Sequence, residues 1–140
     1  MRGDEYMRHI VNVRREIRLL MEQIERDETL AAGVKAIRYD SDKVQTSPQD
    51  ILPDIIANIV ITTEKLYDRI ETLQKLEEAA RGVLLQLKEK HERVLVLHYL
   101  NNMTWERIAK ELSYDEKYIY EVKDAALDEL TEVLQSSERI

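Results

Sequence analysis

Apolar side chains recur at alternating steps of four and three along the first part of the chain, and this spacing limits what the chain can fold into. The residues concerned are Tyr6, Ile10, Val13, Ile17, Leu20 and Ile24. Their spacing is that of a coiled-coil seam about three heptads long, and it predicts a first helix over about residues 4–31. Because a lone helix cannot bury such a seam, the pattern requires a helical partner.

A second, longer stretch repeats this spacing from about Pro53 or Asp54 to Leu87, and proline is tolerated in the first turn of a helix. Its seam comprises Ile56, Ile59, Thr63, Leu66, Ile70, Leu73, Ala80, Leu84 and Leu87. Only three Gly and two Pro occur in 140 residues, and 35% of the side chains are charged, which favours amphipathic helices over sheets. We therefore expect an all-α protein in which residues 1–87 form a long helical hairpin or coiled coil that makes a homodimer or higher homo-oligomer.

Residues 32–50, between the two seams, show no consistent apolar phase. Gly33, Pro48 and several Ser, Asp and Thr residues are typical of a loop. About eighteen residues without a clear element is long for a connection. We therefore expect a connector that is ordered only in part, and that is either mobile or carries an interaction.

The last part of the chain, residues 88–140, has a different pattern. "HERVLVLHYL" predicts a compact apolar helix over about residues 90–100, and "NNM" predicts a short turn. "TWERIAKEL" predicts a helix with Thr104 as its N-cap, and Ser113-Tyr114 a tight turn before a final helix that ends near Gln135. Apolar or small residues fall where two such helices would pack: Ile108, Ala109, Leu112, Ile119, Val122 and Ala126. This is the helix-turn-helix pattern, whose second helix can enter a major groove, although a plain helical hairpin has similar spacing.

The stretch "HERVLVLHYLNNMTWERIAKELSYDEKYIYEVKDAALDEL" resembles the C-terminal promoter-reading domain, region 4, of sigma-70 family factors. The whole chain is similar to a group of small phage and prophage proteins with a coiled-coil first half, an "IRYDSDKVQTSP"-like connector and a sigma-like end. That group is related to phage late-gene regulators of the ArpU and RinA kind. The resemblance implies sequence-specific binding of double-stranded DNA and regulation of transcription in a bacterial cell.

The resemblance also implies that the helix over residues 115–135 reads DNA. The candidate DNA-binding residues are Thr104, Trp105, Arg107, Lys110, Lys117, Tyr118, Tyr120 and Glu121. On the outward side of the final helix, Lys117 can contact a guanine edge or a phosphate, and Glu121 can accept from a cytosine amino group. Either tyrosine can reach a phosphate oxygen or pack on a thymine methyl. Trp105 either packs against "VLVLHYL" or contacts a phosphate through its ring nitrogen.

Two departures from the sigma-like pattern affect the mechanism. Residues 91–140 carry 6 basic and 11 acidic side chains, a net charge of −5, and this is the most acidic part of the chain. Asp124 and Asp128 lie on the outward side of the final helix and would repel phosphate. Ser113 stands where sigma-like turns usually have Gly, and a left-handed Ser costs about 1 kcal/mol. We therefore expect weak DNA binding unless dimerisation or RNA polymerase raises the affinity.

Two other functions fit the same pattern. One is a coiled-coil adaptor that binds RNA polymerase or another protein without reading DNA. The other is a DNA-packaging component similar to a small terminase subunit, which also combines a helix-turn-helix motif with helical oligomerisation.

Enzyme, cofactor and membrane functions are not expected. The absence of Cys removes thiolate catalysis and Cys-based zinc sites, and the three glycines are isolated and form no phosphate loop. His91 and His98 are seven residues apart, whereas metal sites on helices more often use residues three or four apart. No apolar run is long enough to span a bilayer, and the first ten residues lack the apolar core of a signal peptide. The expected location is therefore the cytoplasm.

Overall fold

The computed structural model describes residues 1–40 and 48–138, and every regular element in these two segments is helical. The elements are α1 (Gly3–Asp40), α2 (Pro48–Leu84), α3 (Glu89–Leu95) with a π-helical continuation (Val96–Leu100), α4 (Trp105–Leu112) and α5 (Glu116–Glu138). The all-α fold that the two seams predict is confirmed. None of the described helices is both long and apolar enough to cross a membrane.

The predicted ends of the two long helices, and with them the connector over residues 32–50, need correction. Helix α1 continues past residue 31 to Asp40 and α2 begins at Pro48, so only residues 41–47 of the predicted connector lie outside the described residues. The reason is packing, because Ala31 and Val34 are buried in one cluster with Leu52 and Ile55. Pro53 lies inside α2 and removes one helical hydrogen bond, while Leu52 and Ile55 beside it are buried.

The chain divides into two compact units, and the division does not follow the predicted boundary between residues 87 and 88. Unit 1 comprises Met1–Asn12 and Leu73–Ile140, and unit 2 comprises Val13–Thr72. The start of α1 and the end of α2 belong with the C-terminal helices because they share one hydrophobic core with them. The predicted coiled-coil region is therefore distributed over both units.

Unit 1 is built around the inner face of α5. The buried residues of its core are Met7, Ile10, Ala80, Leu84, Leu87, Val94, Leu95, Trp105, Ile108, Ala109, Ile119, Val122, Ala126 and Leu130. The chain start packs closely on α5, since the Gly3 amide donates to Thr131 Oγ1 at 2.8 Å. A Cβ on Gly3 would lie 2.6 Å from the Leu127 carbonyl oxygen, so this close approach requires glycine.

Unit 2 is a pair of antiparallel helical segments. Ala31 and Val34 of α1 pack with Leu52 and Ile55 of α2, while nearer the other end Arg69 Nη1 lies 3.6 Å from Glu16 Oε2. Because each of two packed helices buries only one face against the other, many large apolar side chains of this unit remain exposed. These are Leu19, Met21, Leu30, Ile37, Ile51, Ile56, Val60, Ile61 and Tyr67.

Candidate nucleic-acid interface

Helix α4 begins where the sequence predicts. Thr104 has extended backbone angles, and its Oγ1 accepts a hydrogen bond from the Arg107 amide at 3.2 Å. The cap satisfies one of the free amides in the first turn of the helix. The N-cap prediction is confirmed, and it fixes the start of the first helix of the motif.

Trp105 packs against the preceding helical segment, which is the first of the two alternatives that the sequence leaves open. Its ring is stacked on that of His98 with centroids 4.0 Å apart, and it meets Tyr99 edge-on at 6.1 Å. Only 8% of Trp105 is exposed, which leaves little surface for the alternative phosphate contact. His98 in turn donates from Nδ1 to the Met103 carbonyl at 2.7 Å, and burial lowers its pKa below the ordinary value.

The turn between α4 and α5 contains a left-handed residue, Ser113. Ser113 has φ 59° and ψ 40°, the region in which glycine is favoured. The Tyr114 amide donates to the Ala109 carbonyl at 2.7 Å and closes the end of α4. A left-handed Ser costs about 1 kcal/mol, and the helices nevertheless make the tight turn at Ser113.

Helix α5 presents the faces that its periodicity predicts. Its buried residues are Ile119, Val122, Ala126 and Leu130. The opposite face leaves Lys117, Glu121, Asp124 and Asp128 exposed to solvent. Between Glu116 and Glu138 the helix carries seven acidic and two basic side chains, a net charge of −5. The exposed face is thus accessible, but its charge opposes that of a typical phosphate-binding surface.

The two candidate tyrosines are held on opposite flanks of α5. On the α4 side, the Tyr120 hydroxyl donates to Glu106 Oε1 at 2.7 Å. This hydrogen bond lowers the pKa of Glu106 and raises that of Tyr120. The Tyr120 hydroxyl is therefore already engaged, and its partner brings a negative charge to that flank.

On the α3 side, Lys90 Nζ donates to the Tyr118 hydroxyl. Tyr114 packs edge-on against Tyr118 with centroids 5.0 Å apart, and Lys90 Nζ lies 5.7 Å from the centre of the Tyr114 ring. Lys90 and Tyr114 are not among the DNA-binding residues predicted from the sequence. One available signal was that no acidic residue stands three or four positions from Lys90 to pair with it on its own helix.

The other candidate cations differ in availability. Arg107 Nε lies 3.7 Å from Glu111 Oε1, so its charge is partly compensated. Lys110 shares an open groove with Arg107, Glu106 and Glu116. Lys110 and Lys117 make no hydrogen bond or ion pair with any part of the chain that the structure describes.

A further contact joins α3 to α5, and its role is structural. His91 Nδ1 is 2.7 Å from Glu129 Oε1, which also accepts from the Lys88 amide at 3.0 Å. Burial opposes ionisation of Glu129, yet these hydrogen bonds outweigh it and lower its pKa. Within residues 1–40 and 48–138, no three His, Asp or Glu side chains are grouped so that they could hold a metal ion.

Lys117, Tyr118, Tyr120 and Glu121 thus lie in the first turns of α5, and Arg107 and Lys110 of α4 line a groove together with Glu116 of α5. No protein-family model, no curated protein and no solved structure matches this chain.

Proposed function

We propose that the protein is a sequence-specific, double-stranded-DNA-binding regulator of transcription, encoded by a phage or prophage and active in the bacterial cytoplasm. The observation that supports this most is the pair α4–α5, joined by a turn with left-handed Ser113. A B-DNA major groove is about 12 Å wide and admits one α-helix. In this proposal α5 enters the groove with its N-terminal turns.

The exposed residues of this motif divide into two roles. Lys117 and Glu121 point outward from α5 and read base edges, with Lys117 suited to guanine and Glu121 to the cytosine amino group. The DNA backbone passes beside Lys110, Arg107 and the capped start of α4 at Thr104. Amides and cations there contact phosphates and fix the register of the protein on the duplex. Trp105 acts through packing, because its ring is buried.

We further propose that a second copy of the chain covers unit 2. The groove between its two helices is lined by apolar Leu19 and Leu20 and by charges of both signs, namely Glu16, Arg26, Lys65, Asp68 and Arg69. A twofold interface brings a surface against itself, so a patch with both signs can pair with its own copy. Two helical pairs would then form a four-helix bundle and cover the exposed apolar side chains. A dimer also doubles the DNA contacts of a binding domain that is itself acidic.

A second candidate function is a protein adaptor that binds RNA polymerase or another partner without DNA. The observation in its favour is the row of carboxylates Glu121, Asp124 and Asp128 on the exposed face of α5. Such a face suits a basic protein surface better than a phosphate backbone.

Selection of bound sequences from random duplexes by the full-length protein tests the proposal. DNA reading predicts enrichment of one motif with twofold symmetry, and footprints at promoters rather than at a packaging site. The Lys35→Ala variant, which changes an exposed lysine on α1, should select the same motif. If no motif is enriched and no duplex is retained at low salt, the adaptor function replaces DNA reading.

A further inference from the structure

We propose that Lys90 and Tyr118 together bind one backbone phosphate of the duplex on the α3 side of α5. The inference rests on the proposed function, and it adds a phosphate-binding residue, Lys90, that lies outside the helix-turn-helix motif. Lys90 belongs to the first turn of α3, and Tyr118 to the first turn of α5, 28 residues later. Their contact therefore exists only in the folded unit.

The two side chains are placed for a shared ligand. Lys90 Nζ donates to the Tyr118 hydroxyl, and the edge-on contact with Tyr114 holds the Tyr118 ring at an interplanar angle of 81°. An ammonium group has three donors, and a phenol has one hydroxyl hydrogen that can rotate toward an acceptor. After one ammonium donor is used by the hydroxyl, the pair still offers two ammonium donors and the phenolic hydrogen to a phosphate oxygen.

The charge around this pair differs from that on the other flank of α5. Among the described residues, no carboxylate forms an ion pair with Lys90, so its positive charge is not neutralised locally. Across the helix, Tyr120 is bound instead to the Glu106 carboxylate. A helix in the major groove has one phosphate strand on each side, and Lys90 offers the strand on the α3 side a cation with no described carboxylate partner.

Lys90 also adds positive charge beside a motif whose own side chains have a net negative charge. Residues 104–121, from the cap of α4 to the outward face of α5, carry three basic and five acidic side chains. A cation from α3 adds a phosphate contact to those proposed for Arg107 and Lys110 on α4. The pair carries no information about the bases, so it should raise affinity for all sequences equally.

Salt titrations of DNA binding, measured by fluorescence anisotropy with a selected duplex and a scrambled one, test the inference. Lys90→Gln should reduce the slope of log affinity against log salt by about 0.9 per protomer on both duplexes. Tyr118→Phe should weaken binding with little change in slope, because it removes a donor and no charge. Arg93→Gln is the charge-matched control on the same helix, since Arg93 Nη2 is already 3.2 Å from Glu89 Oε1. Its slope should stay near that of the wild type.

The outcomes separate this inference from the proposed function. If the wild-type protein binds neither duplex at low salt, the proposed function fails and the phosphate site fails with it. If the wild type binds and Lys90→Gln changes the slope no more than Arg93→Gln does, the phosphate site alone is refuted. Thermal unfolding of each variant checks that a loss of binding does not reflect a loss of fold.

Discussion

The hydroxyl of Tyr120 donates to Oε1 of Glu106 over 2.7 Å and joins α5 to α4 at the edge of the candidate DNA-binding face. If this face meets DNA, the Glu106 charge opposes binding. Glu106→Gln keeps an acceptor for Tyr120 but removes the charge, so binding should strengthen roughly 2- to 5-fold on specific and scrambled duplexes alike.

Anisotropy titrations at one low salt concentration measure this effect. Tyr120→Phe is the matched control, because it removes the hydrogen bond and leaves the carboxylate in place, and it should not strengthen binding. If the Glu106→Gln variant binds DNA with unchanged affinity, the DNA backbone does not pass beside α4.

Gly3 is required by the close approach of α1 to α5. A Cβ at this position would lie 2.6 Å from the Leu127 carbonyl oxygen, and backbone cannot move aside as a side chain can. Gly3→Ala should lower the free energy of unfolding by about 1–3 kcal/mol, the usual cost of overpacking.

Chemical denaturation compares this variant with Gly33→Ala, which places the same methyl group where nothing lies within 4 Å. Because Gly33 is inside a helix, the control should be stabilised by about 0.5–1 kcal/mol. Equal effects of the two substitutions would contradict the packing of the chain start on α5.

His98 should make stability depend on pH. Burial lowers the pKa of His98, and the charge of Lys123 acts in the same direction, whereas the hydrogen bond to the Met103 carbonyl and the charge of Glu106 oppose it. The unfolded chain then takes up a proton near pH 6.5 while the folded chain does not, so stability falls as the pH drops through this range.

The melting temperature measured at about pH 7.5 and at about pH 5.5 shows this dependence. His98→Gln removes the titrating group and should make the decrease smaller, whereas His9→Gln, at an exposed position, should leave it as in the wild type. The carboxylates Glu106 and Glu129 do not interfere, because their lowered pKa values lie below this window. A decrease of the same size in both variants would exclude His98 as its source.

The proposed dimer predicts that a charge in the unit 2 groove separates the copies. Leu19 is 53% exposed and lines this groove, so Leu19→Glu should give a monomer. Leu85→Glu makes the same change at a side chain in unit 1 that is 70% exposed, and it should remain a dimer. Light scattering at tens of micromolar distinguishes them, and a monomeric wild-type protein would rule the dimer out.

Local sequence patterns predicted the parts of the site whose causes lie within a few residues. The cap at Thr104, the bounds of α4 and the buried face of α5 follow from hydrogen bonding and periodicity inside one or two turns. The left-handed position at Ser113 was expected from the resemblance to sigma-like turns, which usually have Gly there.

Interactions between distant residues could not be predicted in the same way. Helix α1 continues through Gly33 because Val34 is buried against α2, and its own local sequence favours a loop there. The pairs Lys90–Tyr118, Glu106–Tyr120 and His91–Glu129 depend on how α3, α4 and α5 pack. The division into units likewise depends on which ends of the two long helices share the core of unit 1.

Binding of a selected duplex by the Lys117→Ala and Glu121→Ala variants tests most directly whether α5 reads DNA. Lys117→Ala should weaken binding and reduce the salt slope by about 0.9 per protomer if it contacts phosphate, or relax preference at one guanine if it contacts a base. Glu121→Ala should reduce discrimination at one cytosine by about tenfold with little loss of affinity for other sequences. Affinity, slope and base preference that stay at wild-type values in both variants would show that α5 does not lie in the groove.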